Sequence, residues 1–165
     1  MRIQTITRTT RLAAVCAVQA VLVAGAVAPQ LSARFTGEEY RLAVAPVDPV
    51  DPFRGAYVAL DYPGLRLPGQ GTDVEVRDDR LEGIVFVPLV RDGDVWRGGT
   101  PRASRPSGGP YLRCQADYRL DCGIGSLFAS QDEARRLERE LAAGAVARVR
   151  VDGRGNAAVV AVEDA

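Results

Sequence analysis

Hydrophobic residues run along this chain in two unlike patterns. Near the amino terminus they form a block: residues 12–28, LAAVCAVQAVLVAGAVA, carry no charge and only Gln19 among polar side chains. Beyond residue 37 they alternate with polar residues, the period-two signature of strands buried on one face. Within residues 39–45, Tyr40, Leu42 and Val44 alternate with Arg41 and Ala43, which predicts a half-buried strand. Residues 57–62, YVALDY, predict a second, ended by Pro63-Gly64. In it Tyr57, Ala59 and Asp61 face one way and Val58, Leu60 and Tyr62 the other. Residues 83–90, GIVFVPLV, are the most apolar strand after the block, and Asp92-Gly93 signals a hairpin leading to Trp96. Residues 97–110, RGGTPRASRPSGGP, read as a mobile loop, and residues 111–118 as another strand. Ser130-Gln-Asp-Glu133 is a capping box that opens an amphipathic helix with Ala134, Leu137 and Leu141 on one face, stopped by Gly144. Residues 147–151 and 157–162, joined by DGRGN, predict a closing hairpin. The expected fold is an amino-terminal transmembrane helix followed by a small, mainly-β (α+β) domain: an antiparallel sheet with one amphipathic helix.

The uncharged block spans roughly 26 Å as a helix, and Pro29-Gln30-Leu31 extend it toward the thickness of a hydrocarbon core. The expected contact with the lipid bilayer is thus a helix from Leu12 to Leu31. Ahead of it stand Arg2, Arg8 and Arg11 with no acidic residue, a flank that keeps the amino terminus cytoplasmic and exports the remainder. The implied organisation is a basic tail at 1–11, a span or uncleaved signal anchor at 12–31, a linker at 32–37 and an extracytoplasmic domain at 38–165. A cleaved signal peptide competes with this reading, and its product would be a secreted soluble domain. Ala26-Val27-Ala28 has the form of a cleavage site, yet Pro29 would follow the cut. The block is also longer than the roughly 7–15 residues of a signal-peptide core.

Composition narrows the chemistry. All 21 cations are arginine, against 21 acids, and the chain has neither lysine nor histidine. No imidazole general base or metal ligand can be built, nor a Schiff base, a Ser-Lys dyad or a phosphate-cradling lysine. Zero net charge argues against nucleic acid as a partner. The neutrality is uneven: every acid lies at or beyond Glu38, so three arginines stand before the block and 18 remain against 21 acids behind it. Three cysteines, at 16, 114 and 122, lack zinc-site spacing. Cys114 and Cys122 lie in the exported part, where an oxidising compartment favours a disulfide; the alternative is two inert, partly buried thiols.

Residues 46–62, PVDPVDPFRGAYVALDY, resemble the signature of the GDYXXLXY family of bacterial proteins. The naming string stands here as Gly55-Ala56-Tyr57-Val58-Ala59-Leu60-Asp61-Tyr62, approached through Asp48, Asp51 and Phe53-Arg54. The order of a membrane helix, the motif, a DG hairpin and a final helix with a second DG hairpin is similar as well. The resemblance implies a single-span membrane protein with an exported domain of unassigned activity. It further implies, as a partner, a multispanning membrane protein like those beside which some members occur. Two departures stand out. Ala56 replaces the acidic residue of the motif. Residues 122–128, Cys-Gly-Ile-Gly-Ser-Leu-Phe, resemble a family segment usually reading Tyr-Gly-Ile-Glu-Arg-Tyr-Phe, so Gly125 and Ser126 replace its Glu and Arg.

The candidate binding residues are Asp48, Asp51, Arg54, Gly55, Tyr57 and Tyr62. Two carboxylates and a guanidinium on a proline-stiffened connector can hold a polar ligand or a divalent cation. They can equally close Asx turns and pair with one another. No cofactor is expected. The expected role is a module that binds another envelope or membrane protein. The alternative is a divergent envelope hydrolase using Asp48 or Asp51, with a metal ion assisting.

Overall fold

The structure is a computed structural model, described over residues 8–46, 57–66, 82–117, 119–128 and 144–164. The apolar block becomes a single helix, α1 (Arg8–Thr36), of 29 residues, about 43 Å at 1.5 Å per residue. Among the described residues it is the one helix long and apolar enough to cross a membrane, with a mean hydropathy of 2.1 and none of that stretch buried against the rest of the chain. An apolar surface exposed all round suits lipid and is costly in water. Pro29 lies inside the helix, where it removes one backbone donor.

Helix geometry persists through residues 32–36, where the sequence suggested a linker, and Gly37 alone separates α1 from the first strand. The reason is tertiary. Ala33 is fully buried, and the Gly37 N–H donates to the Ala33 carbonyl at 3.0 Å, closing the last turn as a C-terminal cap does. A Cβ on Gly37 would collide with that carbonyl and come within 2.8 Å of the Val151 nitrogen.

Nine strands follow among the described residues: β1 (Glu38–Pro46), β2 (Tyr57–Asp61), β3 (Gly83–Asp92), β4 (Val95–Gly98), β5 (Tyr111–Ala116), β6 (Leu120–Asp121), β7 (Ser126–Phe128), β8 (Ala145–Val151) and β9 (Ala157–Asp164). They form one curled sheet in the order β6-β5-β3-β4-β1-β2-β7, with β8 also paired to β1 and β9 to β8. Pairing is antiparallel except between β1 and β4, which meet in parallel at Leu42 and Trp96. The alternation read from the sequence is the alternation of burial. Leu42 and Val44 of β1, Val58 and Leu60 of β2, and Val85, Val87 and Leu89 of β3 all enter one core. Leu112 joins them from β5, and Ala147, Val149 and Val151 from β8.

Two local details differ from expectation. The first hairpin pairs Asp92 with Val95, so Gly93-Asp94 rather than Asp92-Gly93 occupy its corner, and Gly93 takes a φ of 64°. A right-handed sheet twist favours such a corner, and glycine enters it without strain. The glycine- and proline-rich segment after β4 is stitched to β3 rather than left hanging. Phe86 and Arg102 exchange backbone bonds of 2.8 and 2.9 Å, and Gly99 N–H reaches the Pro88 carbonyl at 2.7 Å. The amphipathic helix expected after Ser130 lies outside the described residues.

Candidate functional site

Of the candidate residues, Asp48, Asp51, Arg54 and Gly55 lie outside the described residues, as does Ala56. The structure does bring together the two segments that carry the motif resemblance. β2 and β7 pair antiparallel, Tyr57 opposite Phe128, Val58 opposite Leu127 and Ala59 opposite Ser126. The ladder continues past β7, where the Leu60 N–H donates to the Gly125 carbonyl at 3.0 Å. Tyr62 is buried, and its hydroxyl donates to the Ile124 carbonyl at 3.0 Å. Burial raises the Tyr62 phenol far above its ordinary pKa, so it serves as a permanent donor and packing residue. On the outward side of β2, the Asp61 carboxylate accepts from Arg66 at 2.7 Å. That pair is solvent-exposed and contributes little to stability.

Gly125 and Ser126, the departures that lie among the described residues, are open. A Cβ on Gly125 would meet nothing closer than the Leu60 carbonyl at 4.0 Å. Ser126 is exposed, and Phe128 stands 81 % exposed. Cys114 and Cys122 are joined in a disulfide that fastens the start of this segment to β5.

A second polar cluster had no signal in the sequence beyond a turn-forming Asp-Gly. Asp152, at the tip of the β8–β9 hairpin, is 7 % exposed and is the buried charged residue of the described core. It accepts from the Ser32 hydroxyl of α1 at 2.6 Å, from the Arg154 N–H at 2.8 Å and from the Asn156 N–H at 3.0 Å. The Asn156 side-chain amide adds a fourth bond at 2.9 Å. Burial works to raise its pKa, but these donors outweigh burial and hold the carboxyl below its ordinary range. Arg150 reinforces the same joint by donating to the Arg34 carbonyl at 2.6 Å. Ser32 and Asp152 are 120 positions apart, so no local pattern announces their meeting.

Beside this joint lies a groove of about 310 Å³ between α1 and the sheet. Pro29 and Gln30 form one wall; Ile84, Arg113, Gln115 and Asp121 form the other, with the disulfide and Asn156 between them. Across the strands Gln115 stands opposite both Ile84 and Asp121. Arg113 lies two residues along β5 on the same exposed face. Among the described residues no group of three His, Cys, Asp or Glu side chains converges as a metal would require. The described polar groups can bind and orient.

Helix, joint and curled sheet define a class: a β-rich domain carried on one long apolar amino-terminal helix and fixed to it without a spacer. The chain belongs to the GDYXXLXY protein family, whose profile matches residues 19–162. The match takes in α1 from Gln19 onward together with the described sheet down to Val162 of β9. No curated protein and no solved structure gives a significant match.

Proposed function

We propose that α1 is an uncleaved span, that the sheet domain is extracytoplasmic, and that the domain is a binding module for another protein of the same membrane. One observation carries this reading: the domain is clamped to the end of the apolar helix. The Ser32–Asp152 bond, the Arg150–Arg34 bond, buried Ala33 and the Gly37 joint leave no free linker. Such a joint fixes which face of the domain looks along the bilayer and which looks away, which helps a module that must meet a membrane neighbour. Two further points support the topology. A disulfide persists in an oxidising compartment, and the arginines of the tail obey the positive-inside preference. Exposed Phe128, on the β2–β7 edge, gives the domain an apolar contact point.

The test is purification of the intact chain from detergent-solubilised membranes with the mass of its amino terminus recorded. An uncleaved terminus and one recurrent integral-membrane companion are expected. A flexible Gly-Ser insertion after Gly37 should keep the chain in the membrane while losing that companion, and so should Phe128→Asp. Recovery of a cleaved, soluble and partnerless domain refutes the reading. The hydrolase alternative rests on Asp48 and Asp51, outside the described residues. It is tested by Asp48→Asn combined with Asp51→Asn.

A further inference from the structure

The groove between α1 and β5–β6 sits at a particular depth if α1 spans the membrane, a reading on which this inference rests. Pro29 and Gln30, which form its helical wall, follow directly on the last residue of the uncharged block. That is the level at which hydrocarbon gives way to lipid headgroups. A groove there is filled by water or by a headgroup.

Its charges discriminate between headgroups. Arg113 and Asp121 line the groove together and are of opposite sign. Both are exposed, and among the described residues neither is ion-paired. Asp121 spends Oδ1 on the Gly123 N–H at 2.9 Å, and its other oxygen has no such bond among the described residues. An anionic headgroup would satisfy the guanidinium and leave a carboxylate facing it. A ligand carrying a phosphate and a primary ammonium a few bonds apart satisfies both: the guanidinium fork takes the phosphate oxygens, and the carboxylate takes the N–H donors. Gln30, Gln115 and Asn156 add neutral polar groups around that pair. Ile84, 48 % exposed, gives the glycerol end an apolar surface. We infer that this groove binds the headgroup of a zwitterionic, ethanolamine-type phospholipid, with Arg113 on the phosphate and Asp121 on the ammonium.

Native mass spectrometry of the intact, membrane-extracted protein tests this. The protein is exposed to an equimolar mixture of phosphatidylethanolamine, phosphatidylglycerol and phosphatidylcholine with matched acyl chains. Retention of the ethanolamine lipid should exceed that of the other two by roughly tenfold, the scale of one charge-assisted hydrogen bond. Choline is the informative control, because its quaternary nitrogen has the charge without the N–H donors. Arg113→Gln should lower ethanolamine-lipid retention by a similar factor. Asp121→Asn should level ethanolamine with choline. Both side chains are exposed, and a free-thiol count confirms that the disulfide still forms in each variant. Equal retention of the three lipids by the wild-type protein overturns the inference, as does wild-type ranking in both variants. Alkaline extraction of membranes, run in parallel, separates the two failures. An integral, uncleaved chain without lipid preference sinks the headgroup site alone. A chain cut after residue 28 keeps Pro29 and Gln30 only as a free terminus, without the span that sets the groove at headgroup depth, and sinks both.

Discussion

The junction of α1 with the β8–β9 hairpin and the pairing of β2 with β7 both join segments far apart in sequence, yet they are closed in opposite ways. At the junction nothing can be added. A Cβ on Gly37 would run into the Ala33 carbonyl and Val151, Ala33 is sealed, and the Asp152 carboxylate has four donors. At the β2–β7 pair the interior side is equally tight, with Val58 and Ile124 fully buried, but the outer side is vacant around Gly125 and Ser126. The first region fixes how the domain is held; the second leaves room for surface chemistry to change without disturbing the fold. This contrast accounts for how the chain carries Gly125 and Ser126 in this segment and keeps its architecture.

The sharpest way to break the contrast is to put a side chain into each region. Gly37→Val should cost about 3 kcal/mol, because backbone on both sides cannot retreat as a flexible side chain would. Thermal unfolding in detergent micelles, followed through Trp96, measures it. This indole lies edge-on to Tyr40 with ring centroids 5.2 Å apart. If Gly37→Val melts with the wild type, the joint is looser than described. Next in size is the link that holds the second motif segment to the sheet. Cys114→Ser with Cys122→Ser should remove about 2.5 kcal/mol by the chain-entropy estimate for so short a loop. The same melts report it.

Asp152→Ala follows, with a loss of about 2 kcal/mol as its buried donors lose their acceptor. Protonation should mimic it in part. The folded carboxyl titrates below the unfolded one, near 3.9 in a free chain. The contribution is therefore complete above about pH 4 and is lost as pH falls through the folded value. The protection of the last-turn α1 amides, taken as intrinsic over observed exchange rate, should fall in acid for the wild type, and should be low already at neutral pH in Asp152→Ala. An acid-insensitive joint would show that Ser32 and Asp152 do not hold it. Tyr62→Phe tests the inner side of the motif pair. It leaves the Ile124 carbonyl without its donor and should cost about 1 kcal/mol in the same melts.

These regions also differ in how far they could be read beforehand. Alternation in residues 39–45 and 57–62 identified the buried faces, because a strand's inward side must be apolar whatever it pairs with. It could not name the partner. The parallel contact of Leu42 with Trp96 and the antiparallel contact of Tyr57 with Phe128 are settled by long-range packing that no local period encodes. Turn chemistry placed both DG hairpins but missed the corner of the first by one residue, since Gly93 supplies the positive φ at the leading corner position. The joint was least legible. Residues 32–37 read as a linker on their own, and the arrival of Asp152 and Val151 braces 32–36 as helix. Of the candidate residues, Tyr62 emerged as a packing residue, consistent with its place on the Val58–Leu60 face.

The smallest expected effect is the most informative about the motif edge. Gly125→Glu with Ser126→Arg puts on this backbone the pair carried by the segment that residues 122–128 resemble. Gly125 does not need a positive φ, its added Cβ meets only the Leu60 carbonyl at van der Waals distance, and Ser126 points into solvent. Exposed changes of this kind shift stability by less than about 0.5 kcal/mol, and replacing a glycine also narrows the unfolded chain. The double variant should therefore melt within a degree or two of the wild type, while Gly37→Val does not. A large loss would mean that the β2–β7 edge is covered by other parts of the chain, and the contrast between a sealed joint and an open motif edge would fail. Near-neutrality would make the edge a surface whose polar groups are free to differ between members, the property a partner-facing site requires.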